Sequence, residues 1–117
     1  MLTVYVAGPI TNPDPTKFIE NCKNGMRRCA QVMKLGYAPC NIFSDFLYII
    51  AADNLNVQHL IDTGMSWLRK ADIVVFTGNW QKSPGCLKEH AEALRLDKQI
   101  FYSISCMHSA IGSQSSD

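Results

Sequence analysis

Glu89 is the residue whose place in the sequence most needs a chemical reason. At about 100° per residue, a helix opening at Ser83-Pro84 would centre its apolar face on Leu87, Ala91 and Leu94. Cys86, Ala93 and Leu96 would widen that face on one side, while Lys88, Glu92 and Arg95 gather on the opposite arc. Glu89 projects between Ala93 and Leu96, inside or beside the apolar arc. A carboxylate there loses solvation. Facing a cleft, such a group suits a nucleophile, a general base or a metal ligand. The alternative is a rim glutamate that reaches solvent or pairs with Lys88 or Arg95.

The residues before it have a chemistry of their own. Ser83 can cap the helix, Pro84 suits its first turn, and Gly85 allows a ligand close to free backbone N–H groups, an arrangement that receives anions. Tyr5 falls near the end of an apolar strand, where its hydroxyl could reach a cleft or bond an ordinary buried partner. Asp62 sits in the first half of a helix that should run towards the same edge, which makes it a candidate acid. Trp80 reads equally as a stacking wall for a base and as a loop anchor. Asp72 opens a strand at the opposite end and reads as punctuation. His59, His90 and His108 share no spacing, and no metal site is expected. The five cysteines are odd in number and lack any CxxC, which reads as reduced thiols of a cytoplasmic protein. Cys86, close to a helix start, is the exception worth testing as a thiolate.

The elements that must position these residues follow from periodicity. Leu2–Ala7 is an apolar run closed by Gly8-Pro9, hence a strand. Asp14-Pro15 marks a helix start, and Phe18, Cys22, Met26, Cys29 and Met33 recur at helical spacing up to a stop at Gly36. Tyr37–Cys40 is a second strand and Asn41–Ile50 an undefined aromatic stretch. Asn54 is a candidate cap for a helix lined by Val57, Leu60, Ile61, Met65 and Leu68. Asp72–Thr77 is a third strand, and Ile100–Ser103 a fourth beyond a helix ending near Lys98. Strand–helix alternation predicts a small three-layer α/β domain, Rossmann- or flavodoxin-like, with a mainly parallel sheet of four or five strands over residues 1–104. Residues 105–117 read as a flexible polar tail. In such sheets ligands bind beyond the carboxyl ends of the strands. Gly8–Pro13, Asn41–Asp45 and Gly78–Gly85 are therefore the loops to watch.

Composition narrows the classes. The 117 residues suffice for one domain, and 47% hydrophobic content supports a core. A formal net charge of +1 gives no field for nucleic acid or a membrane surface. No apolar run approaches the roughly 20 residues of a membrane-spanning helix, and the amino terminus lacks the basic start of a signal peptide. The phosphate loops GxGxxG and GxxxxGK[ST] are both missing.

VYVAGPI at 4–10, WLRKADIVVF at 67–76 and SPGCLKEHAEAL at 83–94 together resemble the nucleoside 2-deoxyribosyltransferase superfamily. The likeness is nearest to its small branch and to deoxynucleoside 5′-monophosphate N-glycosidases, and covers roughly residues 2–103. It implies an enzyme of N-glycosidic bond chemistry that needs no cofactor, with Glu89 as nucleophile at the anomeric carbon and Tyr5 orienting it. Gly8, Pro9, Ile10 and Thr11 would wrap the sugar and phosphate, Ser83 and Gly85 would hold them, and Phe43 or Trp80 would meet the base. Serine at 83, where nucleoside transferases tend to carry aspartate, implies tolerance of a 5′-phosphate. The superfamily's second acid falls at Gly64, so Asp62 would substitute only from a shifted helix, and Thr11 replaces an arginine common in the monophosphate enzymes. The implied partner is a small nucleoside or nucleotide, and the implied assembly a homo-oligomer, dimer or tetramer. A module that binds nucleotides without turning them over is the alternative.

Overall fold

The computed structural model describes residues 1–52 and 54–114. Four strands form a wholly parallel sheet: β1 (Thr3–Ala7), β2 (Ala38–Cys40), β3 (Ile73–Phe76) and β4 (Gln99–Phe101), in the order β2-β1-β3-β4. Both central strands are wanted inside. Val4 to Ala7 and Ile73 to Phe76 are buried, the continuous apolar pattern that a sheet covered on two faces requires. Asp72 ties the start of β3 to β1 by accepting from the Thr3 N–H at 2.9 Å and from its hydroxyl at 3.1 Å. Its role is therefore the structural one expected of it.

Among the described residues six α-helices complete the layers: α1 (Pro15–Lys34), α2 (Ile42–Asp45), α3 (Tyr48–Ala51), α4 (Val57–Lys70), α5 (Pro84–Arg95) and α6 (Ile104–Gln114). Parallel strands need crossovers, and the right-handed form is the usual one. It places α1 on one face and α4 with α5 on the other. Asp14 caps α1, its carboxylate accepting from the Thr16 N–H at 2.9 Å, and Pro15 occupies the first turn. The buried face of α1 is Cys22, Gly25, Cys29 and Val32. Met33, expected among them, is exposed because Val32 takes the sheet-facing position.

Gly25 is a packing requirement. A Cβ there would stand 2.2 Å from the Phe43 ring, which is itself fully buried. The glycine lets α2 lie directly against α1. Cys22, Phe46 and Leu60 then form a small second core joining α1, α2 and α4.

Several features differ from the sequence reading. The undefined stretch after β2 becomes two short helices. The cap of α4 is Asn56, not Asn54: its side chain accepts from the His59 N–H while His59 Nδ1 returns to the Asn56 N–H. This two-way capping outcompetes Asn54, which adopts a left-handed φ of 64°. Residues 104–114 are helical rather than a frayed tail, because Met107 and Ile111 bury against the sheet and His108 meets the Tyr37 hydroxyl at 3.0 Å. The remainder of that expected tail, 115–117, lies outside the described residues. Finally, α5 is rotated relative to expectation. Cys86 and Ala93 face the sheet, whereas Leu87 and Leu94 are 48% and 58% exposed. Small side chains let this helix sit close to the sheet beside β4, so bulk was the wrong guide to its inner face.

Among the described residues no helix is long and apolar enough to cross a membrane.

Candidate active site

The rotation of α5 carries Glu89 from the edge of the buried face to its middle, on the line from Cys86 to Ala93. Ser83 fixes where that helix begins. Its hydroxyl accepts from the Cys86 N–H at 3.3 Å, and Pro84 supplies a first-turn residue that needs no hydrogen bond. Glu89 then lies one and a half turns inside, and side chains on a helix lean towards its amino end. The carboxyl is therefore directed back to the carboxyl edge of the sheet, where β1 ends.

A cleft of about 320 Å³ opens there, between α4, α5 and the loop following β1. Glu89 and Tyr5 both line it. The Tyr5 side chain rises from the central strand, and its hydroxyl lies beside the Glu89 carboxyl, where it favours the ionised form. The carboxyl's Oε2 is out of solvent and has no partner among the described residues. Burial pushes the Glu89 pKa up to about 7, with the Tyr5 hydroxyl acting in the opposite direction. Burial, followed by the charge of Glu89, raises Tyr5 well above the ordinary phenol range. Neither of the pairings proposed for a rim glutamate is present. Glu92 takes Arg69 and Arg95 instead.

Gly64 of α4 permits this pairing. A Cβ at that position would sit 3.2 Å from the Tyr5 hydroxyl and 3.8 Å from Ile42. The glycine thus lets α4 close over the tyrosine without filling the cleft.

The other expected residues divide. Gly8, Ile10, Thr11, Ser83 and Gly85 all line the cleft. The loop that carries the first three is held to α1 by Asn21, whose amide donates to the Ile10 carbonyl at 3.2 Å. Asp62 is not brought in; it is exposed on α4 and accepts from the Gln58 amide at 2.9 Å. On a helix whose Leu60 and Gly64 face inward, position 62 must face out. Phe43 is a core residue beneath Gly25, not a wall of the cleft. Trp80 lies on a single 3₁₀ turn and packs into a four-ring cluster with Phe76, His90 and Tyr102, at centroid distances of 4.9, 4.7 and 5.6 Å. Pro9 also falls outside the cleft lining. Cys86 is no thiolate candidate, since burial pushes its thiol up to about 11.

Residues read as core turn out to be walls. Val57 and Ile61 are 38% and 43% exposed, and with Leu60 and Met65 they form the apolar side of the cleft opposite Glu89. The signal was present in the width of the apolar stripe on α4, broader than contact with the sheet alone requires. Gln58 and Lys88 also line the cleft. No cluster of three potential metal ligands occurs among the described residues.

Residues 2–102 match the family described as Domain of unknown function (DUF4406). The chain belongs to that family. The DUF4406 match runs from the start of β1 through β4, so it includes every cleft residue named above and stops short of α6. No curated protein matches the chain.

Replacing Tyr5 by phenylalanine removes a donor that favours the ionised carboxyl. The Glu89 midpoint should then rise above about 7. Titrating the carboxyl carbon by NMR in wild type and Tyr5→Phe reads this directly. An unchanged or lower midpoint would contradict this influence of the Tyr5 hydroxyl on Glu89.

Proposed function

We propose that the protein cleaves or transfers the N-glycosidic bond of a 2′-deoxynucleoside or its 5′-monophosphate, with Glu89 as nucleophile. The observation that carries this reading is the unpartnered, solvent-excluded oxygen of Glu89, positioned by Tyr5 beside a cleft of nucleoside size. Breaking the bond builds positive charge at the anomeric carbon, which a nearby carboxylate both stabilises and can trap as a glycosyl ester. Ser83 and Gly85, at the amino end of α5, are the groups for the sugar and a 5′-phosphate. The resemblance to the nucleoside 2-deoxyribosyltransferase superfamily supports the same assignment at Tyr5 and Glu89, and at Ser83 the likeness is to its monophosphate N-glycosidases. Incubation with a panel of deoxynucleosides and their monophosphates, with free base measured by chromatography, tests it. Base release that is equal in wild type and Glu89→Gln would remove Glu89 from the mechanism.

A second reading is a nucleotide-binding module on the same scaffold. The exclusion of Asp62 from the cleft favours it, because a module without turnover needs no second acid. Thermal stabilisation by nucleotides without base release would select this reading. In either case a small molecule of the cytoplasm is the partner. Homo-oligomeric assembly is supported by the exposed Leu87 and Leu94 on α5.

A further inference from the structure

Glu89 is the one acidic side chain among the described residues lining the cleft. Its polar companions there are Tyr5, Thr11, Gln58, Ser83 and Lys88. Neither a second carboxyl nor an imidazole joins them. Asp62 points away, His59 is committed to the cap of α4, and His90 lies 2.9 Å from the Tyr102 hydroxyl in the ring cluster. This matters for the leaving group. A neutral base that departs from an anomeric carbon carries away the bond's electron pair as an anion, unless a proton reaches it. A positioned donor typically contributes about 10²–10⁴-fold to such a step. Glu89 cannot attack as a carboxylate and supply that proton in the same step, and Tyr5, buried beside the Glu89 charge, is held well above the ordinary phenol range and keeps its proton.

A heterocycle that already bears positive charge has no such need. The C1′–N bond breaks, its electron pair neutralises the ring nitrogen, and the base leaves uncharged without a proton. A Glu89 oxygen forms the C1′–O ester. Water then attacks C1′, the ester bond returns its electrons to the carboxylate, and the water's spare proton passes to solvent. The same positive charge complements the carboxylate of Glu89, and Lys88, the one cation among the described residues lining the cleft, is exposed. Glu89 forms no ion pair there, and its Oε2 has no partner among the described residues. Opposite it, Val57, Ile61 and Met65 offer an apolar wall for a flat ring.

We infer that the cleft selects N-glycosides of cationic nitrogen heterocycles, such as N7-alkylated purines or pyridinium bases. The inference rests on the N-glycosidic reading above and names the substrate class for it. The test compares 2′-deoxyguanosine 5′-monophosphate with its N7-methyl derivative, and adds nicotinamide mononucleotide as the pyridinium arm. Release of free base is followed near pH 6.5 with wild type and Glu89→Gln, and spontaneous loss is subtracted. The expected result is a kcat/KM for at least one cationic substrate on the order of 100-fold above that of 2′-deoxyguanosine 5′-monophosphate. Whichever cationic substrate is cleaved distinguishes the purine from the pyridine source. Cleavage of 2′-deoxyguanosine 5′-monophosphate within about threefold of both cationic substrates would reveal a proton donor and overturn the inference, while leaving Glu89 as nucleophile. Base release from none of the three, or release undiminished in Glu89→Gln, would overturn the N-glycosidic reading along with it.

Discussion

Glu89→Gln is expected to lose base release by about 10³-fold or more and to gain stability above neutral pH. The two effects share one cause. Glu89 titrates at about 7 in the fold, against an ordinary value of 4.5. The folded state therefore binds this proton more tightly than the unfolded chain does. Its contribution to stability is complete below about pH 4.5 and is lost as pH rises through about 7. The separation of the two values corresponds to about 3 kcal/mol in all. Glutamine cannot ionise, so the variant should escape that loss. Urea unfolding of both proteins near pH 5 and pH 8 reads the difference in slope, which is the informative quantity because the glutamine amide has its own desolvation cost. Parallel stability–pH curves for the two proteins would show that the carboxyl is not held in the environment described. An active site that keeps an unpaired acid out of water trades stability for reactivity.

Gly25→Ala should destabilise the protein by about 2 kcal/mol, a loss near 8 °C in melting temperature. Exposed helical glycines behave in the opposite way, since alanine is favoured by about 1 kcal/mol inside a helix. Here the added methyl would meet the Phe43 ring at 2.2 Å, and that ring is fully buried with nowhere to swing. Either α1 or α2 has to move. Because Ile42 of α2 and Phe46 directly after it line the cleft, the displacement should also weaken ligand binding. Thermal melts of the two proteins decide the matter. A variant as stable as wild type would mean that α2 is not packed on α1 at this point.

These expectations depend unequally on what could be read beforehand. The strands β1 and β3 were legible because four consecutive apolar residues between turn signals admit few other fates. The start of α1 was legible because Asp14-Pro15 acts locally, through one side chain and one constrained φ. The same locality made Ser83-Pro84 a sound guide to α5, and with the start known, the placement of Glu89 near an inner face followed. Phe43 was misread, and Trp80 stayed open between two readings, for a common reason. An aromatic side chain looks alike in a sequence whether it stacks on a ligand, on other rings or on the core. Asp62 was misplaced because a two-residue displacement along a helix swings a side chain through about 200°.

By itself the sequence determined the alternation of strands and helices, the caps of α1 and α5, and an acid out of keeping with its neighbours. All of these rest on interactions within a few residues. Only the tertiary structure decided that α5 turns its small residues to the sheet, that Gly64 leaves room for the Tyr5 hydroxyl, and that Val57 and Ile61 line a cleft instead of a core. Those outcomes depend on how closely two helices approach one sheet. That distance is set by side chains far apart in the chain, and no local pattern encodes it.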